Sequence, residues 1–84
     1  MKRNDVHMIR LYEGMTQKSF ATKYGLAEST VAKIEAGFVG ISDVTRAKIL
    51  RQFDMSEPEY IAFCERMKQA QENEVKNNEV DITK

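Results

Sequence analysis

The chain has little that would cross-link, anchor or interrupt it. Cys64 is its only cysteine, so no disulfide can close within the chain, which suits a reducing compartment. His7 is the only histidine, more than fifty positions from Cys64. Two such residues set no ligand spacing for zinc, and no metal or other cofactor is expected. One proline and four glycines stand among 84 residues, and the β-branched residues do not alternate with polar ones, so strands have little support. No apolar run approaches the roughly 18 residues that a membrane span requires. The opening MKRNDVHM lacks the apolar stretch of a secretory signal. There is no phosphate-cradling glycine loop, no carboxylate dyad and no Cys–His nucleophile arrangement, so the chain does not read as an enzyme. What is left is one small, soluble, all-α domain with a single helical core, expected in the cytoplasm.

Net charge is also missing, since thirteen cations balance thirteen anions. The distribution is uneven, however. Residues 1–52 hold nine cations against five anions, a balance of +4, whereas residues 53–84 hold four against eight, a balance of −4. A basic first half can face phosphates while an acidic second half stays away from them.

The residue pattern predicts five helices. The first spans about Asp5 to Glu13, capped by Asn4 or Asp5, ended by Gly14, with Val6, Ile9 and Tyr12 as its apolar stripe. The second follows Thr16, whose hydroxyl can cap it, and reaches about Tyr24; the third runs from near Ala27 to Gly37. Phe38-Val39-Gly40-Ile41 is an apolar loop expected to tuck against the core. Ser42 caps a fourth helix ending near Phe53, with Val44, Ala47, Ile49 and Leu50 as candidate core positions. A fifth starts from about residue 57, where Ser56-Glu57-Pro58-Glu59 combines a serine cap, an early proline and a glutamate three residues on. Its apolar positions end near Ala70. The domain is therefore drawn as residues 1–70, followed by a polar acidic tail, 71–84, expected to fray.

The most informative segment is Thr16–Gly37, TQKSFATKYGLAESTVAKIEAG. Phe20, Tyr24, Leu26, Val31 and Ile34 supply apolar contacts between two short helices, and Ala21 stands where they cross closest. Gly25 lies between them, where a sharp turn needs positive φ. In this segment Thr16, Gln17, Phe20, Ala21, Gly25, Leu26, Ser29, Val31, Ile34, Glu35 and Gly37 resemble the lambda-repressor-like (Cro/XRE-type) helix-turn-helix family. The likeness extends more weakly from about Val6 to about Phe53. It implies a compact five-helix fold with the second and third helices as the DNA-reading unit.

In that docking geometry the first turns of the second motif helix meet base edges in the major groove. Here those positions are Ala27, Glu28, Ser29 and Thr30, with Lys33 one turn on. An ammonium can donate to guanine O6 and N7, and a carboxylate can accept from a cytosine amino group. Phosphate contacts are expected from Thr16, Gln17, Lys18, Lys23 and Ser42, with Gln17 assigned by the family resemblance. Relatives often carry basic residues in the loop after the reading helix, and this loop has none. The resemblance also implies a partly buried salt bridge between Arg10 and Glu35.

One such domain covers few base pairs, so a homodimer on a pseudo-palindromic operator is expected. Tyr60, Phe63, Cys64 and Met67 on the fifth helix are the candidate dimer or partner surface, and the same stripe would serve equally to pack that helix on the first and fourth. The role implied by the resemblance is a transcriptional repressor of the phage or mobile-element type. The competing reading is a protein-interaction module that binds a toxin or antirepressor through the acidic fifth helix and tail.

Overall fold

The computed structural model describes residues 1–83, with side chains described for residues 1–70. Among these residues it holds five helices: α1 (Arg3–Tyr12), α2 (Gln17–Tyr24), α3 (Glu28–Ala36), α4 (Asp43–Leu50) and α5 (Pro58–Thr83). α2 packs on α3, α3 on α1, and α1 on α5.

The starts and stops follow from local chemistry. α1 begins two residues earlier than its polar residues suggest. Asp5 does not cap from outside; it sits in the first turn and accepts the Lys2 backbone N–H at 2.6 Å. Thr16 Oγ1 accepts the Ser19 N–H at 3.1 Å at the head of α2, and Ser42 Oγ accepts the Thr45 N–H at 3.2 Å at the head of α4. Each satisfies one of the donors that a helix N-terminus leaves free. α2 stops at Gly25, with φ 68°, and α3 stops at Gly37, with φ 86°. At both sites the chain reverses through the left-handed region, which a Cβ makes costly.

The core sits where the helices converge. Val6, Ile9, Phe20, Tyr24, Val31, Ile34 and Ile49 are fully buried, and Ala21 is buried with them on α2. The Phe20 and Tyr24 rings lie 4.6 Å apart. A second aromatic cluster joins the end of α1 to the start of α5. Tyr12 meets Phe53, Tyr60 and Phe63 edge-on at 5.4–6.1 Å, and Phe53 meets Tyr60 at 4.9 Å. Such pairs contribute about 0.5–1.5 kcal/mol each beyond their buried area. Tyr60 Oη is buried in this cluster with no hydrogen-bond partner among the described residues.

The second half departs from the sequence expectations. α4 ends at Leu50, short of Phe53, and docks through Thr45 and Ile49, one turn apart. Val44 is 64 % exposed, and Ala47 and Leu50 also face outward, so three of the four expected core positions are not core. An eight-residue helix carries one narrow docking stripe, and the i, i+4 pair Thr45–Ile49 occupies it. In the preceding loop only Ile41 packs against the core, while Val39 and Phe38 are exposed. Ser56 does not cap α5. Its N–H and hydroxyl both donate to Asp54 Oδ1, at 2.9 and 2.6 Å, which builds a local turn instead. The backbone is helical through Thr83. The expected frayed tail at 71–84 falls on residues whose side chains, and on Lys84 whose backbone too, lie outside the described residues. Among the described residues no helix is long and apolar enough to cross a membrane.

Candidate nucleic-acid interface

α2, the Gly25 turn and α3 form the unit whose orientation matters. α3 buries Val31 and Ile34 and leaves Glu28, Ser29 and Lys33 exposed on the other side, with Ala27 exposed at its head and Thr30 half-buried. None of these five side chains makes a hydrogen bond or ion pair within the described residues. Their polar groups are available to an outside partner.

The unit is braced from two sides. On one side, Arg10 of α1 grips Glu35, in the last turn of α3, with both arms of its guanidinium: Nε–H donates to Oε2 at 2.8 Å and an Nη2–H to Oε1 at 2.9 Å. Its remaining arm donates to the Met15 carbonyl at 3.1 Å. His7 Nδ1 stands 2.7 Å from Glu35 Oε1 and therefore carries the proton it donates there. The Glu35 side chain is only 8 % exposed. Burial alone would raise its pKa, but hydrogen bonds from Arg10 and His7 outweigh burial and hold the carboxyl below its ordinary value. The same carboxylate holds the Arg10 guanidinium above its own. On the other side, α4 and the turn after it close the end of α2: Lys48 Nζ donates to the Gly25 carbonyl at 2.9 Å and Gln52 Nε2, two residues beyond α4, to the Lys23 carbonyl at 3.0 Å. These carbonyls are among the acceptors a helix C-terminus leaves unpaired, and a cation there also complements the helix dipole.

The expected phosphate set divides. Lys18 is exposed and Gln17 half-buried in the first turn of α2, beside its N-cap Thr16. Thr16 and Ser42 use their hydroxyl oxygens in capping and each donates to the hydroxyl three residues on, Ser19 and Thr45. Lys23 is instead engaged within the fold, where its ammonium pairs with Glu13, which also accepts the Tyr24 hydroxyl at 2.7 Å. Burial, with Glu13 as the acceptor, pushes the Tyr24 pKa well up. On α5, Tyr60 is buried, and Phe63, Cys64 and Met67 are half-buried against the core of their own subunit. Sequence reasoning missed His7, Glu13, Lys48 and Gln52. Only His7 gave a signal, because it lies three residues before Arg10 and so on the same face of α1.

Two short helices joined through a left-handed glycine, the second presenting an uncovered polar face, define a helix-turn-helix DNA-binding domain. The family model described as helix-turn-helix matches residues 6–60. The chain belongs to this Cro/C1-type, lambda-repressor-like family and is a DNA-binding regulator that takes double-stranded DNA as its partner. No curated protein and no solved structure matches it.

Proposed function

We propose that the protein is a sequence-specific transcriptional repressor, of the kind carried by phages and mobile elements, that acts as a homodimer on a pseudo-palindromic operator. The observation that carries this reading is the uncovered face of α3, on which Glu28, Ser29 and Lys33 are exposed and have no side-chain partner among the described residues. In the major groove Lys33 donates to guanine O6 and N7, Glu28 accepts from a cytosine amino group, and Ser29 and Thr30 bond to bases or neighbouring phosphates. The Ala27 methyl meets a thymine methyl. Thr16, Gln17, Lys18 and Ser42 flank this face at the heads of α2 and α4, where the positive dipole end favours phosphate oxygens. Lys23 is left out of the set because its ammonium pairs with Glu13. The half-buried Phe63, Cys64 and Met67 give α5 a secondary part in dimerisation at most, since their apolar faces turn inward.

Selection of bound duplexes from a random pool tests the reading. The expected result is one enriched palindrome with half-sites about one helical turn, roughly 34 Å, apart. It should bind tightly and with strong salt dependence. A pool that enriches nothing overturns the proposal.

A further inference from the structure

Where α1 packs on α5, the two helices leave a cavity of about 210 Å³ between them. Asn4, Asp5 and Met8 line it from α1, and Cys64, Met67 and Lys68 line it from α5. Three of these six side chains carry sulfur. Cys64 and Met67, at i and i+3, share one face of α5, and Met8 stands opposite them on α1. Met8 is buried, Met67 is half-buried, and Cys64 is a half-buried free thiol. Protein interiors leave few voids larger than a water molecule, so sulfurs that surround an open space do more than fill a seam. One turn before Cys64, and neighbouring its thiol, the Tyr60 hydroxyl is buried with no hydrogen-bond partner among the described residues.

We propose that Cys64, Met8 and Met67 form a binding site for one soft monovalent cation, copper(I) being the biological ion of that class. Thiolate and thioether sulfurs select such an ion over hard cations. Among the described residues no group of three or more histidine, cysteine, aspartate or glutamate side chains could hold a metal ion, so the donors here are sulfur. Zinc spacing rules overlook the set because thioethers are not zinc ligands. As the sulfur–metal bond forms, the Cys64 thiol releases its proton to water. The thiolate and the singly charged ion then leave a neutral complex, which a half-buried seam accommodates. A doubly charged ion would keep a net charge there, beside the Lys68 ammonium on the cavity wall. Each methionine turns on three rotatable bonds, so both thioethers can reach the ion held by Cys64. The Tyr60 hydroxyl gains an acceptor in the thiolate, which fixes the ligand from behind. Because the ligands come from both helices, the bound ion ties α1 to α5. This inference does not depend on α3 meeting DNA.

The test titrates the full-length chain with silver(I), a redox-inert stand-in for copper(I), in chloride-free buffer. Native mass spectrometry gives the stoichiometry and competition with a chelator gives the affinity. One ion should bind per chain and raise the melting temperature. Cys64→Ala should abolish binding. Losing an outer partner of a metal site typically costs about 10–100-fold, and losing a ligand no less, so Met8→Leu and Met67→Leu should each weaken binding at least about tenfold. Tyr60→Phe should weaken it by about tenfold as well. Met55→Leu, away from the cavity, should bind as wild type does. Leucine nearly conserves methionine's volume, and unchanged melting temperatures without metal confirm that the variants fold. Should buried Met8→Leu fail to fold, half-buried Met67→Leu still decides. Unchanged affinity in the folded methionine variants means that Cys64 binds the ion alone, which overturns the proposal. So does an equal loss in Met55→Leu, one ion bridging two chains, or no binding at all.

Discussion

Replacing Arg10 by methionine isolates the charge of the α1–α3 clamp from the packing of its stem, because methionine keeps an unbranched apolar chain of similar reach. The substitution removes two charge-assisted hydrogen bonds to Glu35, at 2.8 and 2.9 Å, and one to the Met15 carbonyl. Glu35, 8 % exposed, keeps only His7. A hydrogen bond to a charged group contributes about 1.5–3 kcal/mol, and stripping one partner from a buried ion pair costs about 3–5. Arg10 itself is partly open to water and His7 remains, so the expected loss is about 2–4 kcal/mol. For a chain of this size that corresponds to a melting temperature lower by about 10–25 °C. Urea and thermal unfolding at neutral pH measure it directly.

The pH dependence gives an independent check. Glu35 has a depressed folded-state pKa, so its contribution is fully present above the ordinary value of 4.5 and is lost as pH falls through the folded value. In Arg10→Met burial dominates and the carboxyl moves up. The difference between wild type and variant should therefore be largest above about pH 5 and shrink on acidification. Arg10→Met with Glu35→Leu should recover part of the loss, because no buried charge is then stranded. A loss under about 1 kcal/mol, or one independent of pH, would mean that the clamp behaves as a surface pair and the reasoning is wrong.

Three further outcomes are expected. Lys33→Ala should weaken operator binding by about 1–3 kcal/mol and relax preference at one base pair, whereas equal weakening on every duplex would identify a phosphate contact instead. Tyr60→Phe should raise stability by about 1 kcal/mol in urea unfolding, since it deletes a buried hydroxyl that has no hydrogen-bond partner among the described residues; a destabilised variant would reveal a bond that this hydroxyl makes. Gly37→Ala should cost about 1–2 kcal/mol from the left-handed backbone alone, and the Arg3 guanidinium, which lies where the new Cβ would go, must also move aside. An unchanged melting temperature would show that the turn relaxes.

The helix-turn-helix was legible in the sequence because its boundaries are written in single residues. Thr16 has one local use, and Gly25 and Gly37 occupy positions where few other residues fit. Arg10 and Glu35 needed the family resemblance, since no local pattern ties residues 25 apart. α4 was misread because Val44, Thr45, Ala47, Ile49 and Leu50 offer two competing stripes in eight residues. Which stripe faces inward is settled by tertiary packing, in which Thr45 and Ile49 are the buried residues of α4. Ser56 was misread for a related reason: Asp54, two residues earlier, competes for the same serine and wins. Phe38 is apolar and so expected inside, but it directly follows the left-handed Gly37 that ends α3 and stays exposed.

Glu28, Ser29 and Lys33 have no side-chain partner among the described residues, while Arg10 and His7 brace α3 through Glu35. Changing the three outward letters should retarget the protein to a new site without refolding it. A lineage of such chains could drift from one recognition sequence to another while the supporting frame stayed nearly fixed.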